Sequence, residues 1–106
     1  MSKRLELLDK LINKGSEDPF VHYGRAMELK GLDRIEEAME AFQGVRERFP
    51  EYVPNYLIAA QVAEELGQRE RAIVLLRDGK DIARRQGNDH ALGEISELLD
   101  QLAEQE

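Results

Sequence analysis

Cysteine is missing altogether from the sequence. That excludes a disulfide framework, a thiolate nucleophile and any cysteine-based metal site, and it points to the cytoplasm as the compartment. Tryptophan is absent too, and proline occurs only at Pro19, Pro50 and Pro54. β-Branched residues are sparse and no long alternating run occurs, so nothing reads as a strand. Long hydrophobic runs are lacking as well. Tyr56–Ala60 is as long as any and falls far short of the ~20 residues that span a bilayer. No secretory signal is expected, because Lys3 and Arg4 lead straight into an amphipathic segment. No Ser/Pro/Gly-rich linker interrupts the chain, so a single domain over residues 1–106 is expected.

What is present is 42% apolar and 35% charged, the mix of a folded domain rather than a disordered tail. The formal net charge of −7 opposes nucleic acid and anionic membrane surfaces as partners. The charge is uneven: +2 over residues 1–14, −6 over 15–68, +3 over 69–85 and −6 over 86–106. The positive stretch (Arg69, Arg71, Arg77, Lys80, Arg84, Arg85) alternates with acids and apolar residues, as a solvated helix face does.

Punctuation and apolar period predict six helices. The first covers about Ser2–Asn13, with Leu5, Leu8 and Ile12 on one stripe and Lys14-Gly15 as its stop. Asp18 caps the second and Pro19 opens it; Lys30-Gly31 ends it. Asp33 is the candidate cap of the third, Arg34–Arg48. The fourth runs from Val53-Pro54 to Leu66-Gly67, the fifth from Arg69 to Gln86, and the last from Asp89 to Ala103.

The segments repeat. Ala38, Phe42 and Val45 precede Ala72, Leu76 and Gly79 by 34 residues each. Phe20, Tyr23, Gly24, Met27 and Gly31 precede Tyr56, Ala59, Ala60, Ala63 and Gly67 by 36. A two-residue insertion in the first turn reconciles the two spacings. With Pro50 closing the first unit and Arg84 standing where a second proline would fall, the pattern resembles the tetratricopeptide repeat (TPR). The likeness covers two repeats, and the whole layout resembles small standalone bacterial TPR proteins. It implies an all-α fold, a short α-solenoid of antiparallel helix pairs. Its parts are an N-terminal helix (1–15), repeat 1 (17–50), repeat 2 (53–86) and a capping helix (88–106). One repeat cannot cover its own apolar faces, so repeats stack, and the terminal helix carries a polar outer face of Glu94, Glu97, Asp100, Gln101 and Glu104.

Chemistry is thin. His22 and His90 are far apart in sequence; His90 and Glu94 have the spacing of half a metal site, with no third ligand evident. Glu17-Asp18, Glu36-Glu37 and Glu64-Glu65 read as solvated or first-turn acids. Glycines fall singly, so no phosphate-binding loop is formed. No enzyme activity, cofactor or metal is expected.

The resemblance implies a concave groove lined by the first helix of each pair. Its positions here are Asp18, Val21, His22, Arg25 and Glu28, then Leu57, Ile58, Gln61, Glu64 and Glu65. TPRs that clamp chaperone tails use Lys, Asn and Arg at matching positions; Val21, Arg25 and Ile58 depart from that set, so chaperone-tail binding is not expected. An apolar centre edged by acids fits a peptide or helix with apolar anchors and basic residues. The fourth helix is apolar nearly all round, so Leu57, Ile58 and Val62 fit an open groove or burial under the last helix. Two functions follow from these patterns: a protein-interaction module that binds a partner segment, or a structural protein that self-associates as a homodimer. An anionic ligand on the basic fifth helix is a third.

Overall fold

The computed structural model describes residues 2–104, so Met1 and residues 105–106, the tips of the expected flanking segments, lie outside it. The described residues form six helices and no strand: α1 (Lys3–Asn13), α2 (Pro19–Gly31), α3 (Ile35–Arg48), α4 (Pro54–Glu65), α5 (Arg69–Gln86) and α6 (Asp89–Ala103). They group into two compact units, Met1–Pro50 and Glu51–Glu106.

In the first unit α2 packs on both α1 and α3. The Ser2 hydroxyl caps α1 by accepting from Leu5 N–H at 3.1 Å. Asp18 caps α2, its Oδ1 accepting from Phe20 N–H at 2.9 Å, with Pro19 in the first turn. Ala26, Leu29, Ala38, Met39 and Phe42 form the core, and the Tyr23 ring meets the Phe42 ring edge-on at 6.0 Å.

In the second unit α5 packs on both α4 and α6, and α6 also touches α4. Tyr56, Val62, Leu75, Leu76, Ile95 and Leu102 are buried. Gly79 lets α5 pass close to α4: a Cβ there would lie 2.6 Å from Tyr56 Cβ and 3.3 Å from Ile95 Cδ1. Arg69 Nη2 donates to the Leu102 carbonyl, tying the start of α5 to the end of α6. Glu94, Glu97, Asp100, Gln101 and Glu104 are all exposed on α6.

The hydrogen bonds of the turns give the repeat its register, and they correct the reading above. Leu32 N–H donates to Glu28 O, Asp33 to Lys30 O, Arg34 to Leu29 O and Ala38 to Arg34 O. Leu66 donates to Val62 O, Gly67 to Glu64 O, Gln68 to Ala63 O and Ala72 to Gln68 O. Every bond of the second set lies 34 residues after its counterpart, so the turn has one length and contains no insertion. The first helix of repeat 1 was read two residues early. Tyr56, Ala59, Ala60 and Ala63 correspond to His22, Arg25, Ala26 and Leu29. Burial agrees: Ala26 and Leu29 are buried at 0% and 1% exposure, whereas Phe20 is 62% exposed. Gly24 faces α1, where an added Cβ would meet Leu8 Cδ2 at 3.7 Å. Asp33 is not the cap of α3. It has φ 61° and takes the left-handed place that Gly67 holds at φ 74°. The misreading came from aligning Gly31 with Gly67, when the residue that turns the chain in repeat 1 is an aspartate.

Candidate protein-binding surfaces

In the first unit, the polar residues expected on the groove are engaged with α1 and the loops. Arg25 Nε meets Asp9 Oδ1 at 2.6 Å. Glu28 accepts from the Ser2 hydroxyl at 2.9 Å and pairs with Arg4 at 3.5 Å. His22 Nε2 donates to the Ser16 carbonyl at 2.8 Å, and its ring tilts against Phe49 at 5.1 Å. Val21 is half-buried beside them.

His22 and Arg25 also form the floor of a cleft of about 530 Å³ whose walls are α1 and α3. Asp9, Ile12 and Asn13 stand on one side; Glu37, Glu40, Ala41, Gly44, Val45 and Arg48 on the other. Arg48 reaches Glu17 at 3.2 Å and stacks over the Phe49 ring. Glu37 is bonded by Arg34 at 2.6 Å. That hydrogen bond and charge hold the Glu37 carboxyl below its ordinary value and raise Arg34, on a pair open to solvent. The α1 and α3 side of this cleft was not found from the sequence. Its signal was Asp9 opposite Arg25, which becomes legible only once α1 is laid antiparallel on α2.

In the second unit, Leu57, Ile58, Gln61 and Glu64 are half-buried and Glu65 is exposed. Their spacing places them on one stripe of α4. Among the described residues, the carboxylates of Glu64 and Glu65 meet no cation, so the apolar pair has a free acidic edge. The basic helix is solvated and partly paired: Arg71 bonds Gln68 at 3.1 Å, Arg84 meets Asp81 at 3.5 Å, and Arg85 meets Glu51 at 3.6 Å. His90 and Glu94 do approach, at 3.1 Å, on an exposed turn. Among the described residues no group of three or more His, Asp or Glu side chains is placed to hold a metal ion, and no helix is long and apolar enough to cross a membrane.

Comparison with solved structures decides the fold. The tetratricopeptide repeat domain protein of Salinibacter ruber superposes with a TM-score of 0.80 in its crystal structure, at 29% identity over 85% of this chain and 100% of that one. This is the tetratricopeptide repeat fold. The same S. ruber protein in solution gives 0.81. A Bordetella parapertussis protein matches this chain at 0.82, with 16% identity over 99% of this chain and 91% of its own. The TPR2B domain of yeast Sti1, solved in complex with pHsp70, matches at 0.85, with 20% identity over 96% of this chain and 82% of its own. These last two show the fold alone. No protein-family model and no curated protein sequence matches the chain.

Proposed function

We propose that this chain is a protein-interaction module that captures a basic, apolar-anchored peptide or helix of a partner on the stripe of α4. The observation that carries the reading is the α4 stripe: Leu57 and Ile58 half-open beside Glu64 and Glu65, two carboxylates that meet no cation among the described residues. A segment with two apolar anchors and nearby Lys or Arg complements both features. Within the first unit, the positions Val21, His22, Arg25 and Glu28 are proposed as a partner-binding surface of their own. Their polar groups are already held by Asp9, Ser2, Arg4 and Ser16, so they contribute a preorganised surface rather than free charge. The complex of the Sti1 domain with pHsp70 supports a protein-interaction role for this fold in general.

The test is calorimetric titration of the purified chain with an amphipathic Leu/Lys peptide. Binding should weaken about tenfold or more, about 1.4 kcal/mol, in Glu64→Lys/Glu65→Lys, and be lost in Ile58→Glu with the fold intact by circular dichroism. A chain that dimerises at micromolar concentration through α4, with Ile58→Glu restoring the monomer, would replace this reading with self-association.

A further inference from the structure

The face of α1 and α2 turned away from the cleft has the opposite character. The α1–α2 seam runs along Leu8 and Gly24, and the Asp9–Arg25 pair marks its cleft side. By helical period Leu7 and Leu11 lie on the other flank of α1. Phe20 and Met27 lie on the matching flank of α2, and the antiparallel register sets Leu11 level with Phe20. Leu7 is 58% exposed, Leu11 40% and Phe20 62%, so three of the chain's exposed large apolar side chains share one face. Around them stand Lys3, Lys10, Lys14 and Lys30, whose ammonium groups make no hydrogen bond or ion pair among the described residues. Arg4 adjoins them, engaged with Glu28. Among the described residues of α1, Glu6 is the acid near this flank, at its far edge. Within a chain of net charge −7, this surface is apolar and positive.

We infer that this face docks an acidic amphipathic helix of a partner protein, with apolar anchors seated on Leu7, Leu11 and Phe20 and carboxylates facing the lysines. Exposed apolar side chains gathered on one face mark an interaction surface, and a rim of one sign selects the opposite charge. A second copy of this chain is the competing occupant, since its α4 offers half-buried Leu57 and Ile58 beside Glu64 and Glu65, and the oligomeric state separates the two. The outer face of its α6 supplies Glu94, Glu97 and Asp100, but Leu92, Leu98 and Leu99 there are half-buried and Ile95 and Leu102 buried. The surface is separate from the α4 stripe and takes the opposite partner charge, so either can fail without the other.

The experiment uses two fluorescent helical peptides of about 18 residues, or five turns, with the same leucine stripe and either Glu or Lys elsewhere. Binding is read by anisotropy at low and moderate salt. The acidic peptide should bind in a salt-sensitive manner. Phe20→Ser and Leu11→Ser should each weaken it about tenfold, and Lys10→Glu/Lys14→Glu should abolish it, whereas Ile58→Glu should leave it unchanged. Circular dichroism and thermal melting would confirm that these surface changes leave the fold unaltered. Equal affinity of Phe20→Ser and parent for the acidic peptide overturns the inference. So does binding to vesicles of mixed anionic and zwitterionic phospholipid without binding to the peptide, which would make the face a membrane contact. A dimer dissolved by Phe20→Ser overturns it in favour of a second copy.

Discussion

The two repeats share a turn, a spacing and a pair of small residues, yet they solve the same packing problem with different side chains. At one pair of equivalent positions repeat 1 has His22 and Val45, and repeat 2 has Tyr56 and Gly79. The large ring of Tyr56 is buried against the bare backbone of Gly79. In repeat 1 neither member is extreme in size, and both line an open cleft. The flanking helices differ in kind as well. α1 meets α2 through polar pairs such as Asp9–Arg25 and Ser2–Glu28, whereas α6 buries Ile95 and Leu102. A shared repeat pattern therefore fixes backbone register, while the size exchange across one helix pair decides whether a unit closes or keeps a cavity.

The largest effect that would break this comparison is Gly79→Val. It imports the repeat 1 residue without its partner and drives a branched side chain into Tyr56. We expect a loss of about 3 kcal/mol or more in chemical denaturation, at the severe end of overpacking. The double variant Tyr56→His/Gly79→Val restores the repeat 1 pair and should recover part of that loss. No recovery would mean that the two pairs are not equivalent.

Next in size is the register itself. Ala26→Leu should cost about 1–3 kcal/mol because Ala26 is fully buried. Phe20→Ser should stay within about 0.5 kcal/mol, as surface changes do. A reversed order would reinstate the 36-residue alignment of α2 and remove the uniform repeat. Smaller again is the turn: Gly67→Ala should cost about 1 kcal/mol because φ is positive there, while Asp33→Gly should be neutral or stabilise by a few tenths. The smallest effect is electrostatic. The Glu37 carboxyl lies below its ordinary value because Arg34 bonds it. Its contribution is present above the unfolded carboxylate range and disappears as pH falls through the lowered folded value. An acid titration of stability should differ slightly between parent and Glu37→Gln in that window alone, and the difference should shrink with salt.

Helix number, type and most boundaries were legible because caps and stops are local. Asp18-Pro19, Leu66-Gly67 and Gln86-Gly87 each act within a single turn. The turn of the second repeat was legible because Gly67 supplies an unambiguous left-handed residue. The first was misaligned because Asp33 does the same work without being glycine, and nearby Gly31 offered a false match. The polar bonds that hold Arg25, Glu28 and His22 were not legible for another reason. Their partners, Asp9, Ser2 and Ser16, come from α1 and its loop, and helix-to-helix pairing leaves no mark on local period. The exposure of Phe20 was missed through the same slip, since a shift of two residues turns a helix by more than half a revolution.

The recurrent turn has one more consequence, for assembly of the chain rather than for binding. The bonds from Arg34 to Leu29 and from Gln68 to Ala63 are joined by two more of the same span, Ser16 to Leu11 and Asn88 to Ala83. Helices of different length and composition thus end in one interchangeable joint. Because that joint is satisfied entirely by its own backbone, the side chains on either side of it are free to diverge. Two segments of common pattern can then come to carry a basic face on one and an acidic stripe on the other without any change in how the chain turns.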